Sequence, residues 1–384
     1  MDHVRIGIVG VGGMGSHHAR YIQEGKVSRG KLTAVCDIDP TKLQTFQNVK
    51  TFTSSDALIA SGEVDAVMVA TPHYAHTTVG IAALKAGLHL LVEKPISVHK
   101  ADCERLIAAY KARPKKSQVF AAMFNQRTDP HFIRVRKLIE DGELGQIRRT
   151  NWIITNWFRT QAYYNSGGWR ATWRGEGGGV LLNQCPHNLD LFQWICGMPS
   201  KVRAFCSLGK YHTIEVEDDV TAYFEYANGA TGIFITTTGE APGTNRLEIA
   251  GDRGKVVVEN GNVTFTRNEI PGDTFLKTSK ESFATPAIWN IEIPVNGCGG
   301  QHQEITQNYV DAILDGKPLI APAVEGIHSV ELANAMIYSS LSGKTIDLPL
   351  NGAAYEKTLK KLIASSKLKK KVVKTATDLS KSWK

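Results

Sequence analysis

Gly10-Val11-Gly12-Gly13-Met14-Gly15 follows directly on the apolar run Val4-Arg5-Ile6-Gly7-Ile8-Val9, and few folds accept glycines in that register. A strand that ends in GxGxxG and opens a helix is the first unit of a doubly wound sheet. Its first glycine permits a tight turn, its second lets the backbone approach a pyrophosphate, and its third seats the helix against the strand. The anion then meets the N–H groups at the start of the helix. Gly10, Gly12, Gly13, Met14 and Gly15 therefore form a candidate dinucleotide turn. Asp37 ends the next strand-like run, 22 positions beyond Gly15. A carboxylate there accepts hydrogen bonds from ribose hydroxyls and repels a 2′-phosphate, which favours NAD over NADP. Asp39 is the better candidate for capping the helix after Pro40.

The alternation continues. Runs at 32–36, 66–70, 88–92 and 119–123 read as strands, with helical patterns at 74–86 and 97–111, the latter opening on Ser97 as N-cap. After Asp129-Pro130 the pattern changes. One helix (131–141) precedes a strand-like run at 149–158, a glycine run and a helix near 180–196. Alternating runs at 202–207, 220–226, 230–237, 246–250, 255–259 and 263–267 then predict antiparallel strands, with Asn228-Gly229 the clearest hairpin mark. Residues 268–300 read as irregular, and helices at 302–314 and 324–341 close the domain. The expected fold is α/β: a parallel Rossmann sheet over 1–124, a second α/β domain on a mostly antiparallel open sheet over 125–350, and a basic extension over 351–384.

Composition narrows the function. The chain has 384 residues and a net charge of +8, but residues 355–384 hold ten lysines against Glu356 and Asp378, leaving 35 basic and 35 acidic residues elsewhere. A neutral body with one basic tail is unlike the distributed basic face of a nucleic-acid binder, and the tail reads as a solvated terminal helix with a frayed end. No apolar run is long enough to span a bilayer, and no signal-peptide pattern opens the chain. Six cysteines without a CxxC pair read as free thiols of the cytoplasm. Cys185, His187 and Asp190 lack the ligand count of a metal centre, so no metal is expected.

Glu93-Lys94-Pro95 and Gly177-Gly178-Gly179-Val180-Leu181-Leu182-Asn183-Gln184-Cys185-Pro186-His187 complete the pattern. With the glycine turn and Thr71-Pro72-His73-Tyr74-Ala75-His76, they stand in the order and spacing of the glucose-fructose oxidoreductase and inositol dehydrogenase family, Gfo/Idh/MocA. The chain resembles that family over about residues 4–345. The resemblance implies that Lys94 and His187 are catalytic, that Glu93 lies near the nicotinamide ribose, and that Thr71, Pro72, His73 and His76 contact NAD. It also implies that Arg127 lies near substrate and that the second domain builds a homo-oligomer through its sheet. The family pattern Asp-x-Gly-x-His reads Asn183-Gln184-Cys185-Pro186-His187 here, so an uncharged Asn183 replaces the aspartate. Asp190, three residues past His187, is a candidate replacement if the helix is regular through Pro186.

A lysine and a histidine at a nicotinamide suit oxidation of an alcohol, because hydride can leave carbon only as the hydroxyl loses its proton. Trp152, Trp157, Trp169 and Trp173 fall within 22 residues, together with Tyr163, Tyr164, Arg159, Arg170 and Arg174. Aromatic faces cover the C–H side of a sugar and arginines donate to its hydroxyls. The same cluster also suits a core or a subunit contact. Tyr163, Arg170, Trp173 and Asn183 join Arg127 and His187 as candidate substrate contacts. The expected reaction is hydride transfer between NAD and a secondary hydroxyl of a sugar, inositol or glycoside, with C3 of a glycoside one target. Two other readings stay open at this level: glycoside cleavage with transient use of bound NAD, and a non-catalytic NAD-binding regulator.

Overall fold

The computed structural model describes residues 2–368. Six strands, β1 (Val4–Val9), β2 (Gly30–Cys36), β3 (Lys50–Phe52), β4 (Ala66–Val69), β5 (His89–Val92) and β6 (Phe120–Ala122), form a sheet in the order 3-2-1-4-5-6. All its pairings are parallel. Helices Gly13–Gln23, His73–Lys85 and Lys100–Lys111 are among those that cover it. Both faces are therefore buried, and β4 reads Ala-Val-Met-Val with no polar position. The strand order reverses between β1 and β4, which puts the crevice at the carboxyl ends of the strands. Gly10, Asp37, Thr71 and Glu93 each lie just beyond such an end.

The second sheet has nine strands: β7 (Ile147–Ile154), β8 (Lys201–Leu208), β9 (Glu217–Glu225), β10 (Thr231–Thr237), β11 (Asn245–Gly251), β12 (Gly254–Glu259), β13 (Asn262–Asn268), β14 (Ile288–Ile293) and β15 (Ile346–Asp347). Its order is 14-13-12-11-7-10-9-8-15. Every pairing is antiparallel except that of β7 with β10. Burial alternates along β9 and β12, so one face packs inward on helices Pro186–Cys196 and Gly326–Ser342. The other face is open and carries Phe205, Tyr223 and Ile233.

Several expectations need correction. β3 has no counterpart among the expected strands, because three residues of Lys-Thr-Phe are too short for a period. The helix expected at Ser97 starts at Lys100, where the His99 ring accepts from the Asp102 N–H, while Ser97 is bonded to Thr77. Residues 268–300 are not irregular throughout, since they hold helix Gly272–Thr278 and edge strand β14, both largely exposed and so without a strong apolar signature. The stretch 180–196 is two helices, Val180–Asn183 and Pro186–Cys196, broken so that Pro186 occupies the first turn, where its missing N–H costs nothing.

Helix Gln301–Asp315, read from sequence with the second domain, packs on the first sheet through Ile305, Tyr309 and Val310. Helix Gly352–Ser365 is anchored by the buried Tyr355 and Leu359 in the second core. Most of the lysine run that follows it lies outside the described residues.

Candidate active site

The glycine turn has the geometry that a pyrophosphate requires. Gly10 has φ +91°, and a Cβ there would lie 2.7 Å from the Ala70 carbonyl oxygen. At Gly15 a Cβ would come within 1.8 Å of the Gly10 oxygen, so the helix is seated on the strand as the motif demands. Gly12 faces open space, with nothing within 4 Å of the point where a Cβ would stand. Gly13 is exposed and Met14 half-buried. The helix that starts at Gly13 has no side-chain cap and no acidic residue in its first turn, which leaves its N–H groups for an anion.

Asp37 is buried, and its carboxylate accepts from Val11 N–H at 3.0 Å and Asp39 N–H at 2.9 Å. It thus braces the turn, and Lys42 Nζ pairs with it at 3.2 Å. Asp39 caps the short helix Pro40–Leu43. Ile38, which sequence reading passes over, is 90% exposed beside Asp37 and presents an apolar surface at that mouth.

Lys94 follows β5 and is tied into the protein at both its main chain and its side chain. Its N–H donates to Glu93 Oε2 at 3.1 Å, and its Nζ donates to the main-chain oxygen of Asn183 at 2.9 Å. Glu93 Oε1 lies 2.6 Å from His18 Nε2, and His18 Nδ1 lies 2.8 Å from the Tyr21 hydroxyl, which in turn meets Thr306 Oγ1 at 2.6 Å. Burial pushes the Glu93 carboxyl up, but His18 and the surrounding positive groups outweigh it and hold Glu93 well below the usual range. Burial also lowers the Lys94 amine, opposed by Glu93 and Glu176.

Thr71 and His73 line the same edge. Thr71 Oγ1 is buried without a hydrogen-bond partner, Pro72 caps helix His73–Lys85, and His73 Nδ1 lies 3.3 Å from the Glu176 carbonyl oxygen. His76 departs from expectation. Its ring sits between the carbonyl oxygens of Pro95 and Thr71, at 2.7 and 2.8 Å, so it fastens the two loops together rather than facing the cofactor.

His187 stands in the first turn of helix Pro186–Cys196, edge-on to Phe124. Burial pulls its imidazole well below the ordinary value of 6.5, and the Lys94 ammonium adds to the effect. A neutral ring whose buried Nδ1 has no partner is equipped to take a proton. Four residues earlier, Asn183 Oδ1 accepts from the Tyr163 hydroxyl at 3.0 Å, and Arg170 donates to that hydroxyl at 2.9 Å. The Arg170 guanidinium also lies over the Tyr163 and Trp169 rings. Lys94, Asn183, Tyr163, Arg170 and His187 are therefore one constellation, with the unpartnered Gln184 Oε1 beside it.

Three expectations fail here. Arg127 is 1% exposed and forms a two-bond pair with Asp190, both bonds 2.7 Å, with a further bond to Glu325. It is a structural cation and not a substrate contact. Asp190 is thereby committed and cannot partner His187. Trp173 is buried in the second core, with only 3% exposure, so it does not face a sugar. Sequence reading also misses Glu176, although it is the only acidic residue between Glu143 and Asp190 and directly precedes the glycine run. Among the described residues no group of His, Cys, Asp and Glu side chains is arranged to hold a metal.

Two family models match the two halves of this architecture. The oxidoreductase family with an NAD-binding Rossmann fold covers residues 4–121, and the GFO/IDH/MocA C-terminal domain covers residues 132–257. The chain belongs to the GFO/IDH/MocA family. As a GFO/IDH/MocA oxidoreductase it uses NAD, and its glycine turn and uncapped helix fit that cofactor. It is similar to inositol 2-dehydrogenase of Rhizobium meliloti (strain 1021), 25% identical over 370 residues, 90% of this chain and 99% of the relative. Levoglucosan dehydrogenase of Pseudarthrobacter phenanthrenivorans is 26% identical over 76% of this chain and 82% of its own. Among solved structures, WlbA dehydrogenase from Bordetella pertussis, in complex with NADH and UDP-GlcNAcA, superposes with a TM-score of 0.76. That match has 26% identity and covers 91% of this chain and all of the other.

Proposed function

We propose that this GFO/IDH/MocA oxidoreductase moves hydride between NAD and a secondary hydroxyl of a sugar, inositol or glycoside, C3 of a glycoside being one candidate position. The observation that carries this reading is a buried, neutral His187 with an unpartnered ring nitrogen in the field of the Lys94 ammonium. His187 takes the proton of the hydroxyl. Lys94, its Nζ steadied by the Asn183 carbonyl, stabilises the oxygen as it gains negative charge. Arg170, Tyr163 and Asn183 present donors and acceptors to the remaining hydroxyls. NAD, bound over the glycine turn, supplies the hydride acceptor. The relatives named for inositol and levoglucosan support the substrate class.

Monosaccharides, inositols and glycosides assayed for NADH absorbance, with product regiochemistry read by NMR, test the reading. No turnover with any polyol would overturn it. In the oxidation direction the pH profile of kcat/KM should have both limbs displaced downward. Activity needs His187 unprotonated, and its lowered pKa puts the acid limb below pH 6.5. It also needs Lys94 protonated, and its lowered pKa puts the basic limb below pH 10.5.

The chain is also proposed to self-associate through the open face of its second sheet. Phe205, Tyr223 and Ile233 are 63%, 42% and 38% exposed, and Tyr223 pairs with Ile233 across β9 and β10. An apolar centre bordered by Arg246, Glu248 and Glu259 suits a self-complementary contact. Tyr223→Glu should lower the solution mass measured by light scattering to that of a monomer, and an unchanged mass would sink the assignment. The six free cysteines support a reducing, cytoplasmic setting.

A further inference from the structure

Asn183 occupies the place of the family's aspartate, and its neighbours show where a carboxylate has gone instead. Its amide nitrogen donates to Glu176 Oε1, while its main-chain oxygen receives the Lys94 ammonium at 2.9 Å. Glu176 is 1% exposed, and its second carboxylate oxygen accepts from Ala171 N–H at 2.5 Å. Both oxygens meet N–H donors, and that pattern suits the ionised form. The glycine run delivers this side chain: Gly177 has φ +80°, and a Cβ there would lie 2.1 Å from the Val98 side chain.

We infer that Glu176 is a positioning residue that restores, from the glycine loop, the negative charge absent at Asn183, and so keeps Lys94 a fixed ammonium beside the reacting oxygen. The inference rests on the role proposed for Lys94 above. The charges around Lys94 make the need concrete. Arg159 and Arg170 disfavour its protonated form, while Glu93 and Glu176 favour it. Glu93 is already engaged by His18 at 2.6 Å. The other groups that sense Lys94 are held neutral by burial: His73, His76 and His187 are pushed down, His302 to about 3, and the Cys185 thiol up to about 12. Burial likewise keeps the Tyr163 phenol protonated. Glu176 is thus the acid placed to offset two guanidinium groups.

The test is the pH profile of alcohol oxidation by the NAD-loaded enzyme in three variants. Glu176→Gln removes the charge at almost constant shape. It should move the basic limb of kcat/KM down by about one to three pH units, the usual effect of a nearby opposite charge. NAD affinity, followed by fluorescence titration, should not change. Asn183→Asp adds a second carboxylate and should move the limb up. Glu176→Gln combined with Asn183→Asp returns the charge to the helix. The new amide donates to the new carboxylate and accepts from Ala171 N–H, so the limb should return towards its original position. A basic limb unmoved in Glu176→Gln, or in Asn183→Asp if the first variant does not fold, overturns the inference. If Lys94→Met itself keeps full turnover, the fault lies in the underlying functional reading.

Discussion

Replacing Lys94 with methionine should lower kcat for alcohol oxidation by roughly 10²–10⁴ while leaving a folded protein that still binds NAD. Methionine keeps most of the buried stem and removes the charge. What is lost, in the mechanism proposed above, is the cation that stabilises the developing alkoxide; its donor bond to the Asn183 carbonyl fixes its position. At about 1.4 kcal/mol per tenfold, the loss corresponds to roughly 3–6 kcal/mol of transition-state stabilisation. Lys94→Arg should not rescue it, since a planar fork cannot occupy the site of a compact ammonium whose partner is a single carbonyl oxygen. Stopped-flow NADH formation separates the chemical step from binding, and cofactor fluorescence reports affinity. Turnover within threefold of the parent chain would remove Lys94 from the mechanism.

A different kind of loss is expected at Arg127. Arg127→Met should destabilise the fold by about 3–5 kcal/mol, because it strands the fully buried Asp190 without its counter-charge. The defect should depend on pH. Burial raises the Asp190 carboxyl and Arg127 opposes it, so without the arginine the group binds its proton more tightly still. A raised folded-state pKa means stability is greatest in acid and falls as pH rises through it, so the variant should lose more at pH 8 than at pH 5. Thermal melts at the two values measure this directly. Asp190→Leu added to Arg127→Met should recover most of the stability. If instead the single variant melts like its parent and loses only substrate affinity, Arg127 contacts the sugar after all.

These two residues also mark what could be read along the chain and what could not. The glycine turn, the strand runs and Glu93-Lys94-Pro95 are local patterns, and local patterns carry their own geometry: three glycines at fixed spacing already imply the collision of a Gly15 side chain with Gly10. Pairings over long separations carry no such mark. Arg127 meets Asp190 across 63 positions and Lys94 meets Asn183 across 89. Before folding, an arginine near a site looks the same whether its partner is a sugar or a buried acid. Crowded aromatics likewise promise a sugar platform, but Trp152 and Trp173 go into the core, and Tyr163 and Trp169 stay at the cleft with Arg170. Glu176 is hidden by its setting, because an acid beside three glycines reads as part of a turn.

Helix Gln301–Asp315 bears on how such an enzyme can be taken apart. It enters after the second sheet is nearly complete, yet it lays Ile305, Tyr309 and Val310 on the first core and bonds Thr306 to Tyr21. A nucleotide-binding half cut at residue 124 would expose that apolar seat and remove the Thr306 partner of the Tyr21 hydroxyl. Chimeras that exchange cofactor domains between relatives must therefore carry this late helix with the early sheet. The portable unit is a set of contacts that crosses the chain twice.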